Sequence, residues 1–384
     1  MKIIACELFE TYTLDSCIEA LKELGCSVSR MRYYTPEDYY KDDRLCEMLR
    51  KDMKRGCDAV FTVNFWPLVA RVSHELSIPY ISWSYDSPMN LATDDDMEYD
   101  TNYIFMFDRG ECEVYQSRGI TRVFHMPLAT DTALWDRVKT PSSPVYDVSY
   151  MGNIYESTFP QLFAALGKHE QGFWNGVIKA QLKVYGYYFV DELLDDEHMT
   201  AVNKALAAAG IGDISKKQFA YSLGSYLAYQ DRVMLLSVLS KRVNMAFATF
   251  SMPEDLLPLM PELKVLPRLD YRRGMPEFFK SSRININSSL RIIKTGIPLR
   301  AMDIMGAGGF LLSDIKQELA EYFVPGEEIE LYDSVECAVD KCRYYLSNDE
   351  ARHRIARAGY EKVKRDFGYK GQLEKMLRSC HEIN

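Results

Sequence analysis

The 384-residue chain lacks the sequence features of several protein classes. Its nine cysteines are odd in number, scattered and never spaced as C-x-x-C, which argues against a disulfide framework and favours reduced thiols. No apolar run approaches the length of about 18 residues that a membrane-spanning helix needs. The first ten residues, MKIIACELFE, hold too short an apolar stretch for a signal peptide. We therefore expect a cytoplasmic protein without stable membrane insertion.

Glycine-rich phosphate-binding motifs are also missing. The turn after the first predicted strand, residues 8–12, has no glycine and carries an acid where a dinucleotide's pyrophosphate would lie. The P-loop pattern does not occur either, so dinucleotide dehydrogenases and P-loop kinases are poor interpretations. The six histidines lie near no cysteine cluster, and we expect no zinc site.

The charge of the chain is negative overall but reverses locally. Lys plus Arg is 46 and Asp plus Glu is 55, giving a net charge of −9, which argues against a partner that is a nucleic acid or an anionic membrane surface. Residues 262–300 carry nine basic and three acidic side chains, a net +6, so the rest of the chain is −15. A basic segment in an acidic protein suggests a bound anion of small size.

Strand and helix patterns alternate along the first 135 residues. Short apolar runs predict strands, and apolar residues at helical spacing predict helices. The predicted strands are 2–8, 27–33, 59–63, 80–85, 104–107 and 122–126, with helices at 14–24, 36–55, 67–76 and 109–118. This alternation predicts parallel βαβ units in a doubly wound sheet, whose ligands bind at the carboxyl ends of the strands.

A second alternation follows the turn-rich stretch 139–144. It begins with a strand at 145–151 and is interrupted by a helical insertion over 156–242. It then resumes with strands at 243–250, 264–266, 284–286 and 309–312, and with helices at 275–280, 300–305, 334–346 and 349–377. The sequence therefore predicts an α/β protein with two Rossmann-like domains, 1–138 and 145–365. The final helix, 366–384, is predicted to pack back on the N-terminal domain.

The basic window contains the most informative segment, residues 285–311, which runs from a strand end through a polar loop into a helix. Arg291, Lys294 and Arg300, with the N–H groups of the helix that starts near Pro298, are candidates to hold a diphosphate. Asp303 is a candidate to bind the ribose hydroxyls. Alternatively, Asp303 only favours the helix dipole and the basic side chains are solvated. Asn287, in the loop that leaves the strand, is a further candidate donor contact.

Two more candidates for the donor site lie at turns. Gly152 and Asn153 end the first strand of the second domain, where a glycine lets the backbone approach phosphate; a tight turn explains the pair equally well. Tyr271 precedes a predicted helix and could stack on the base, although a core position suits a tyrosine as well.

Polar side chains follow two strands of the first domain. Asp86 comes directly after the predicted strand 80–85, where a carboxylate with a raised pKa could act as general base on an acceptor hydroxyl. The alternative is a turn-forming aspartate before Ser87 and a proline. Asn64 and Ser87 are candidate acceptor contacts.

Several stretches resemble one family in combination. GIPLRAMDIMGAGGFLL (296–312), FVPGEEIELY (323–332) and RIARAGYEKV (354–363) are similar to the C-terminal domain of CgeB-like glycosyltransferases, which are group 1 glycosyltransferases of the GT-B fold. Three N-terminal stretches resemble the companion domain of the same proteins: IPYISWSYDSP (78–88), IFMFD (104–108) and MPLATD (126–131). The stretch LDYRRGMP (269–276) also resembles these proteins. The helical stretch 156–242 has no counterpart in this resemblance.

The resemblance implies a metal-independent enzyme with no cofactor, in which the C-terminal lobe binds a nucleotide diphosphate sugar, with UDP-sugar favoured. The N-terminal lobe would bind a protein, glycan or small-molecule acceptor. Asp303 takes the place of the ribose-binding acid, which is usually a glutamate. The first acid of the wider group's E-x(7)-E pattern would fall on Thr295, so that acid is missing here. The second interpretation is therefore a catalytically silent GT-B-like protein that binds a nucleotide or glycan and acts through partners.

Overall fold

The computed structural model describes residues 1–89 and 91–382. The chain forms two compact units: unit 1 is Met1–Thr132 together with the C-terminal segment from Val363, and unit 2 is Ala133–Lys362. Each unit is built on one six-stranded parallel sheet with helices on its faces. The predicted α/β class with two Rossmann-like domains is confirmed. No helix in 1–89 or 91–382 has the length and apolar character needed to cross a membrane.

Unit 1 follows the predicted alternation closely. Its strand order is β2-β1-β3-β4-β5-β6, with elements β1 (Lys2–Glu7), α1 (Tyr12–Glu23), β2 (Ser27–Arg32), α2 (Asp43–Met53), β3 (Ala59–Val63), α3 (Pro67–Glu75), β4 (Tyr80–Ser84), β5 (Asn102–Met106), α4 (Arg109–Ser117) and β6 (Val123–His125). All five residues of each of β3, β4 and β5 are buried, as expected of central parallel strands that helices cover on both faces.

The charged helix predicted over 36–55 is shorter in the structure, where α2 begins at Asp43. Asp42 is its N-cap, and its carboxylate accepts a hydrogen bond from the Leu45 backbone N–H at 2.9 Å. A side chain that satisfies one of the helix's free N–H groups fixes the helix start at that point. The segment before Asp42 therefore forms a loop, although its charge pattern resembles that of the helix.

Unit 2 has the strand order β12-β11-β10-β7-β8-β9. A short helix, α5 (Thr132–Trp135), spans the boundary, and the following elements are β7 (Tyr146–Met151), α6 (Phe159–Ala165), α7 (Lys168–Gln181), α8 (Val190–Leu193), α9 (Asp196–Ala208), α10 (Lys216–Ser240), β8 (Met245–Ala248), β9 (Lys264–Leu266), α11 (Gly274–Lys280), β10 (Ser282–Asn287), α12 (Leu299–Gly306), β11 (Leu311–Asp314), α13 (Gln317–Tyr322), β12 (Glu330–Tyr332), α14 (Val335–Ser347), α15 (Asp349–Asp366) and α16 (Tyr369–Glu382).

The segment 156–242 is wholly described and contains five helices, α6 to α10, without a strand. The longest, α10, begins with a capping box in which Ser215 and Gln218 satisfy each other's backbone N–H groups. Its buried residues include the charged side chains of Asp231 and Arg232. Both side chains contact loops that follow strands at the carboxyl edge of the unit 2 sheet.

The helix predicted over 349–377 is two helices, α15 and α16, which are separated at Phe367 and Gly368. Residue 368 forms an isolated parallel bridge with Thr130, which interrupts the helical backbone. Within unit 1, α16 packs on α1, and the Gln372 side-chain amide donates to the Pro127 carbonyl at 2.8 Å. The Tyr369 ring meets the Trp83 ring edge-on, with centroids 6.0 Å apart.

Candidate functional site

Asp86 and Asn64 meet at the carboxyl edge of the unit 1 sheet. They follow the neighbouring strands β4 and β3, whose parallel pairing brings their exits together. The Asn64 amide nitrogen donates to the Asp86 carboxylate at 2.6 Å, while its oxygen accepts from the Tyr85 backbone N–H at 2.8 Å. One side chain therefore fixes both the backbone before Asp86 and the carboxylate itself.

The Asp86 side chain is exposed to solvent, so an acceptor can reach it. Desolvation by the surrounding protein nevertheless raises the pKa of its carboxyl above the ordinary value, and the hydrogen bond from Asn64 opposes that shift. A raised pKa brings a carboxylate closer to the working range of a general base. The role of Asp86 as general base stays a prediction, with which its exposure and raised pKa are compatible.

Asn64 holds this position with a left-handed backbone, at φ 60°. Asparagine tolerates this region better than most residues, and the Thr62 hydroxyl donates to the Asn64 carbonyl at 2.6 Å. A strained backbone at a strand exit is typical of a functional position, where the surrounding structure stabilises it.

We expect Asn64→Ala to destabilise the protein more than Asn64→Gly, by about 1 kcal/mol, in urea unfolding. Both variants lose the same side-chain hydrogen bonds, but only alanine places a Cβ on a left-handed backbone. Equal unfolding midpoints for the two variants would show that the loop relaxes out of this conformation.

Ser87, the second candidate acceptor contact, points into the interior. Its hydroxyl donates to the Asp108 carboxylate at 2.7 Å, and both side chains are buried. Asp108 precedes α4 at the exit of β5, so this bond links the exits of two neighbouring strands. In this structure Ser87 supports the Asp86 loop, and an acceptor contact by Ser87 stays a prediction.

A second polar network fixes the loop that leaves β10 in unit 2. The Asp314 carboxylate, at the end of β11, accepts hydrogen bonds from the Ser289 backbone N–H at 2.9 Å and its hydroxyl at 2.8 Å. The Asn287 side-chain amide donates to the Ser313 hydroxyl at 2.9 Å, and the Asn287 backbone carbonyl accepts from the Tyr332 hydroxyl at 2.7 Å. Asn287 therefore shapes the predicted donor loop from within, since its side chain is buried.

Arg232 is a site residue that the sequence analysis did not identify. From α10 its guanidinium donates to the Ser288 carbonyl at 2.8 Å and to the Asn153 carbonyl, and it lies 4.5 Å from the Tyr155 ring centroid. It thus ties the exits of β7 and β10 together. The available signal was the adjacent pair of charged residues, Asp231 and Arg232, within the predicted helix 219–239, and the structure buries both side chains.

Gly152 and Asn153 leave β7 as predicted. A Cβ on Gly152 would lie 3.1 Å from the Tyr150 hydroxyl, so the position favours glycine for packing reasons alone. Asn153 is exposed, with its carbonyl held by Arg232. The tight-turn alternative and a phosphate contact at this loop both stay predictions.

Arg291 and Lys294, predicted to hold a diphosphate, both form ion pairs with the helical insertion. The Arg291 guanidinium is buried and binds both oxygens of Asp231, at 2.5 and 2.9 Å, and the Val184 carbonyl at 2.6 Å. Lys294 pairs with Asp191 at 2.5 Å in a partly exposed contact. These acids partly offset the charge of the basic window. A phosphate contact by either residue stays a prediction that their present partners do not favour.

Asp303 is fully buried in α12 and weakly satisfied. Its two oxygens face the Tyr271 hydroxyl at 3.5 Å and the Arg300 guanidinium at 3.4 Å, distances at the limit for hydrogen bonds. Burial raises the pKa of Asp303 to about 7, against the opposing effects of Arg300 and Tyr271. The long contacts leave acceptor capacity on this buried carboxylate, and a ribose contact by Asp303 stays a prediction.

Tyr271 lies in the interior, with its ring edge against Trp135 at a centroid distance of 5.1 Å. The core alternative describes this packing, and stacking of Tyr271 on a base stays a prediction. An exposed aromatic ring occurs instead at the exit of β8, where Phe250 is 65% exposed. Arg268, at the exit of β9, lies 4.6 Å from its centroid. This pair offers a flat surface at the carboxyl edge of the sheet.

The stability of the protein relative to Asp303→Asn should fall as pH rises from about 4 to about 7. In this range the unfolded chain loses the Asp303 proton while the folded chain retains it, so deprotonation favours unfolding. Asparagine cannot ionise. Subtracting the unfolding free energy of the Asp303→Asn variant from that of the wild type therefore removes the contribution of the other titratable groups. If the difference in unfolding free energy between the wild type and Asp303→Asn stays constant across this pH range, a buried carboxyl with a raised pKa is contradicted.

Within residues 1–89 and 91–382, no three His, Cys, Asp or Glu side chains are grouped so that they could hold a metal ion.

Comparison with known proteins supports the fold. Residues 234–378 match a family model described as glycosyl transferase-like. No curated protein sequence matched the chain. The fold is similar to sucrose-phosphate synthase from Thermosynechococcus elongatus, with a TM-score of 0.57, 11% identity and coverage of 100% of this chain and 99% of that one.

Two further solved structures have a similar fold over their whole length. A glycosyltransferase from Rickettsia africae has a TM-score of 0.61 and 10% identity, with 100% of this chain and 98% of that chain covered. Anabaena HepE in complex with UDP has a TM-score of 0.57 and 9% identity, with 100% of both chains covered. The chain thus has the GT-B fold, and residues 234–378 match a glycosyl transferase-like family model.

Proposed function

We propose that the protein transfers a sugar from a nucleotide diphosphate sugar to an acceptor hydroxyl or amine without a metal ion. The observation that carries the proposal is Asp86, an accessible carboxylate with a raised pKa that Asn64 fixes at a strand exit. The fold and the family match of residues 234–378 support the reaction class.

In the proposed reaction, Asp86 accepts the proton of the acceptor hydroxyl while that oxygen bonds to the first carbon of the sugar. The bond between this carbon and the diphosphate oxygen breaks, and the diphosphate leaves with the electron pair. Asn64 is a positioning residue, because it orients Asp86 and the backbone before it.

Unit 2 would supply the donor site. Asp303 would accept hydrogen bonds from the ribose hydroxyls in place of its long contacts with Tyr271 and Arg300. Arg300 would then be free to approach the diphosphate with the first-turn N–H groups of α12, which offset the leaving group's charge. The exposed ring of Phe250, beside Arg268, suits stacking of the base.

A UDP-sugar is the proposed donor, supported by the similar fold of HepE, whose structure contains UDP. The motifs at 296–312 and 323–332 support a place in the CgeB-like group. The proposed acceptor is a protein, glycan or small molecule, and the proposed location is the cytoplasm.

Calorimetric titration with UDP tests the donor site. We expect Asp303→Ala to abolish measurable binding, because the ribose loses its acceptor. Asp340→Ala, which removes an exposed acid of unit 2, should retain the wild-type affinity. Wild-type affinity in the Asp303→Ala variant would exclude Asp303 from the donor site.

The second candidate is a GT-B-like protein that binds a nucleotide or glycan without catalysis. Two observations favour it: Arg291 and Lys294 are engaged by acids of the insertion, and Thr295, at the position of the missing acid, donates to Glu318 at 2.7 Å. Such a protein would bind UDP and release no product from any sugar nucleotide.

A further inference from the structure

A cavity of about 770 Å³ lies within unit 2 at the opposite edge of the sheet from the donor loops. Its walls include Ser282 at the start of β10, Phe310 just before β11, and residues 138–142 and 144, which precede β7. Helix α15 forms another wall. The exits of the same strands hold the network of Asn287 and Asp314, so the cavity is distinct from the proposed donor site.

The lining of this cavity is strongly basic in an otherwise acidic protein. It contains one acidic side chain, Asp136, and five basic ones, for a net charge of +4 with histidine neutral: Lys139, Lys280, Arg283, Arg352 and Arg357. The carboxyl end of α12, at Ala307, also meets the cavity and disfavours an anion. That end is equivalent to about half a negative charge, so the side chains outweigh it.

Internal contacts already occupy part of this charge. Arg352 binds Asp349 at 2.6 Å and the Tyr345 carbonyl at 2.7 Å. Lys280 donates to two backbone carbonyls at 2.7 and 2.8 Å, and burial lowers its pKa, with Asp136 opposing the shift. The Asp136 carboxylate accepts from the Tyr360 hydroxyl at 2.8 and 2.9 Å.

Three other basic side chains of the lining are less occupied by internal contacts. Lys139 and Arg357 are exposed, and neither forms an ion pair with any residue in the described part of the chain. Arg283 is half-buried and forms one long ion pair, with Asp147 at 3.8 Å. Guanidinium groups bind phosphate through paired hydrogen bonds, so two arginines and a lysine around one cavity favour phosphate as the charged group.

The cavity is larger than a phosphate ion needs. Its volume falls within the range of about 300–1,000 Å³ that is typical of small-molecule sites. Phe279, Phe310, Pro141 and Pro144 provide apolar wall beside the basic side chains. We propose that this cavity binds a small organic molecule carrying phosphate groups, separately from the sugar donor.

Calorimetric titration of the full chain with inorganic pyrophosphate, in the presence of saturating UDP, tests this site. Wild type should bind pyrophosphate, and Arg357→Glu should weaken binding by about tenfold or more, since it replaces a phosphate-binding group by a repelling one. Arg354→Glu is the matched control, because Arg354 is exposed on the same helix and does not line the cavity. It should retain the wild-type affinity.

Arg283→Gln provides a second variant at the opposite wall and should also weaken binding. Thermal unfolding of Arg357→Glu should match that of Arg354→Glu, because neither side chain is buried. Absence of pyrophosphate binding to the wild type, or an equal loss in the Arg357 and Arg354 variants, would overturn the proposal. The proposed glycosyl transfer does not depend on this outcome.

Discussion

Asp86→Asn is expected to lower the rate of sugar transfer by about 10²–10⁴-fold, the range typical of losing a general base. Asparagine has nearly the same shape, and its oxygen can still accept the hydrogen bond from Asn64, but it cannot take the acceptor's proton. The effect should fall on kcat, while UDP affinity stays within about twofold of the wild type, since the donor residues are untouched.

Asp100→Asn is the matched control for this experiment. Asp100 is an acid of the same unit with an 80% exposed side chain, and it contacts only the exposed His74 among the described ion pairs. Its replacement should leave kcat unchanged. A similar kcat for Asp86→Asn and Asp100→Asn would show that Asp86 is not the general base and would favour the turn-forming alternative.

Arg291→Met is expected to destabilise unit 2 by about 3–5 kcal/mol, because it leaves the Asp231 carboxylate buried without its partner. Urea unfolding measures this effect. Replacing Asp231 by leucine in the same chain should recover much of the loss, since an apolar pair of similar volume avoids the desolvation cost.

Lys294→Met is the control, because its ion pair with Asp191 is partly exposed and should contribute about 0–1 kcal/mol. If Arg291 instead held the diphosphate, Arg291→Met would lower UDP affinity strongly and leave the unfolding midpoint close to that of Lys294→Met. That result would contradict the structural role that the buried ion pair indicates.

The fold was predictable because it depends on local patterns. Apolar runs and helical spacing locate almost every strand, and parallel pairing brings consecutive strand exits to one edge of each sheet. For this reason the sequence located Asn64 and Asp86 at two strand exits, and the structure joins these residues, 22 apart in sequence, by a hydrogen bond. Helix boundaries were less predictable where capping decides them, as at Asp42, whose side chain starts α2.

The donor side was harder to predict because its charges are balanced over long sequence distances. Counting side chains in 262–300 gives +6, but Asp231 and Asp191 lie in the helical insertion, 60 and 103 residues from Arg291 and Lys294. A charge count over 262–300 therefore does not include the acids that pair with these basic side chains. Arg232 was missed for the same reason, since it contacts loops 79 and 56 residues away.

Release of nucleoside diphosphate from a panel of sugar nucleotides, measured with wild type and Asp86→Asn, tests the central proposal most directly. A glycosyltransferase should release diphosphate from at least one sugar nucleotide, UDP-sugars first, because slow transfer to water often accompanies transfer to an acceptor. Asp86→Asn should lower this release strongly while binding UDP normally. Normal UDP binding with no release from any sugar nucleotide, or equal release by both proteins, would contradict the proposal.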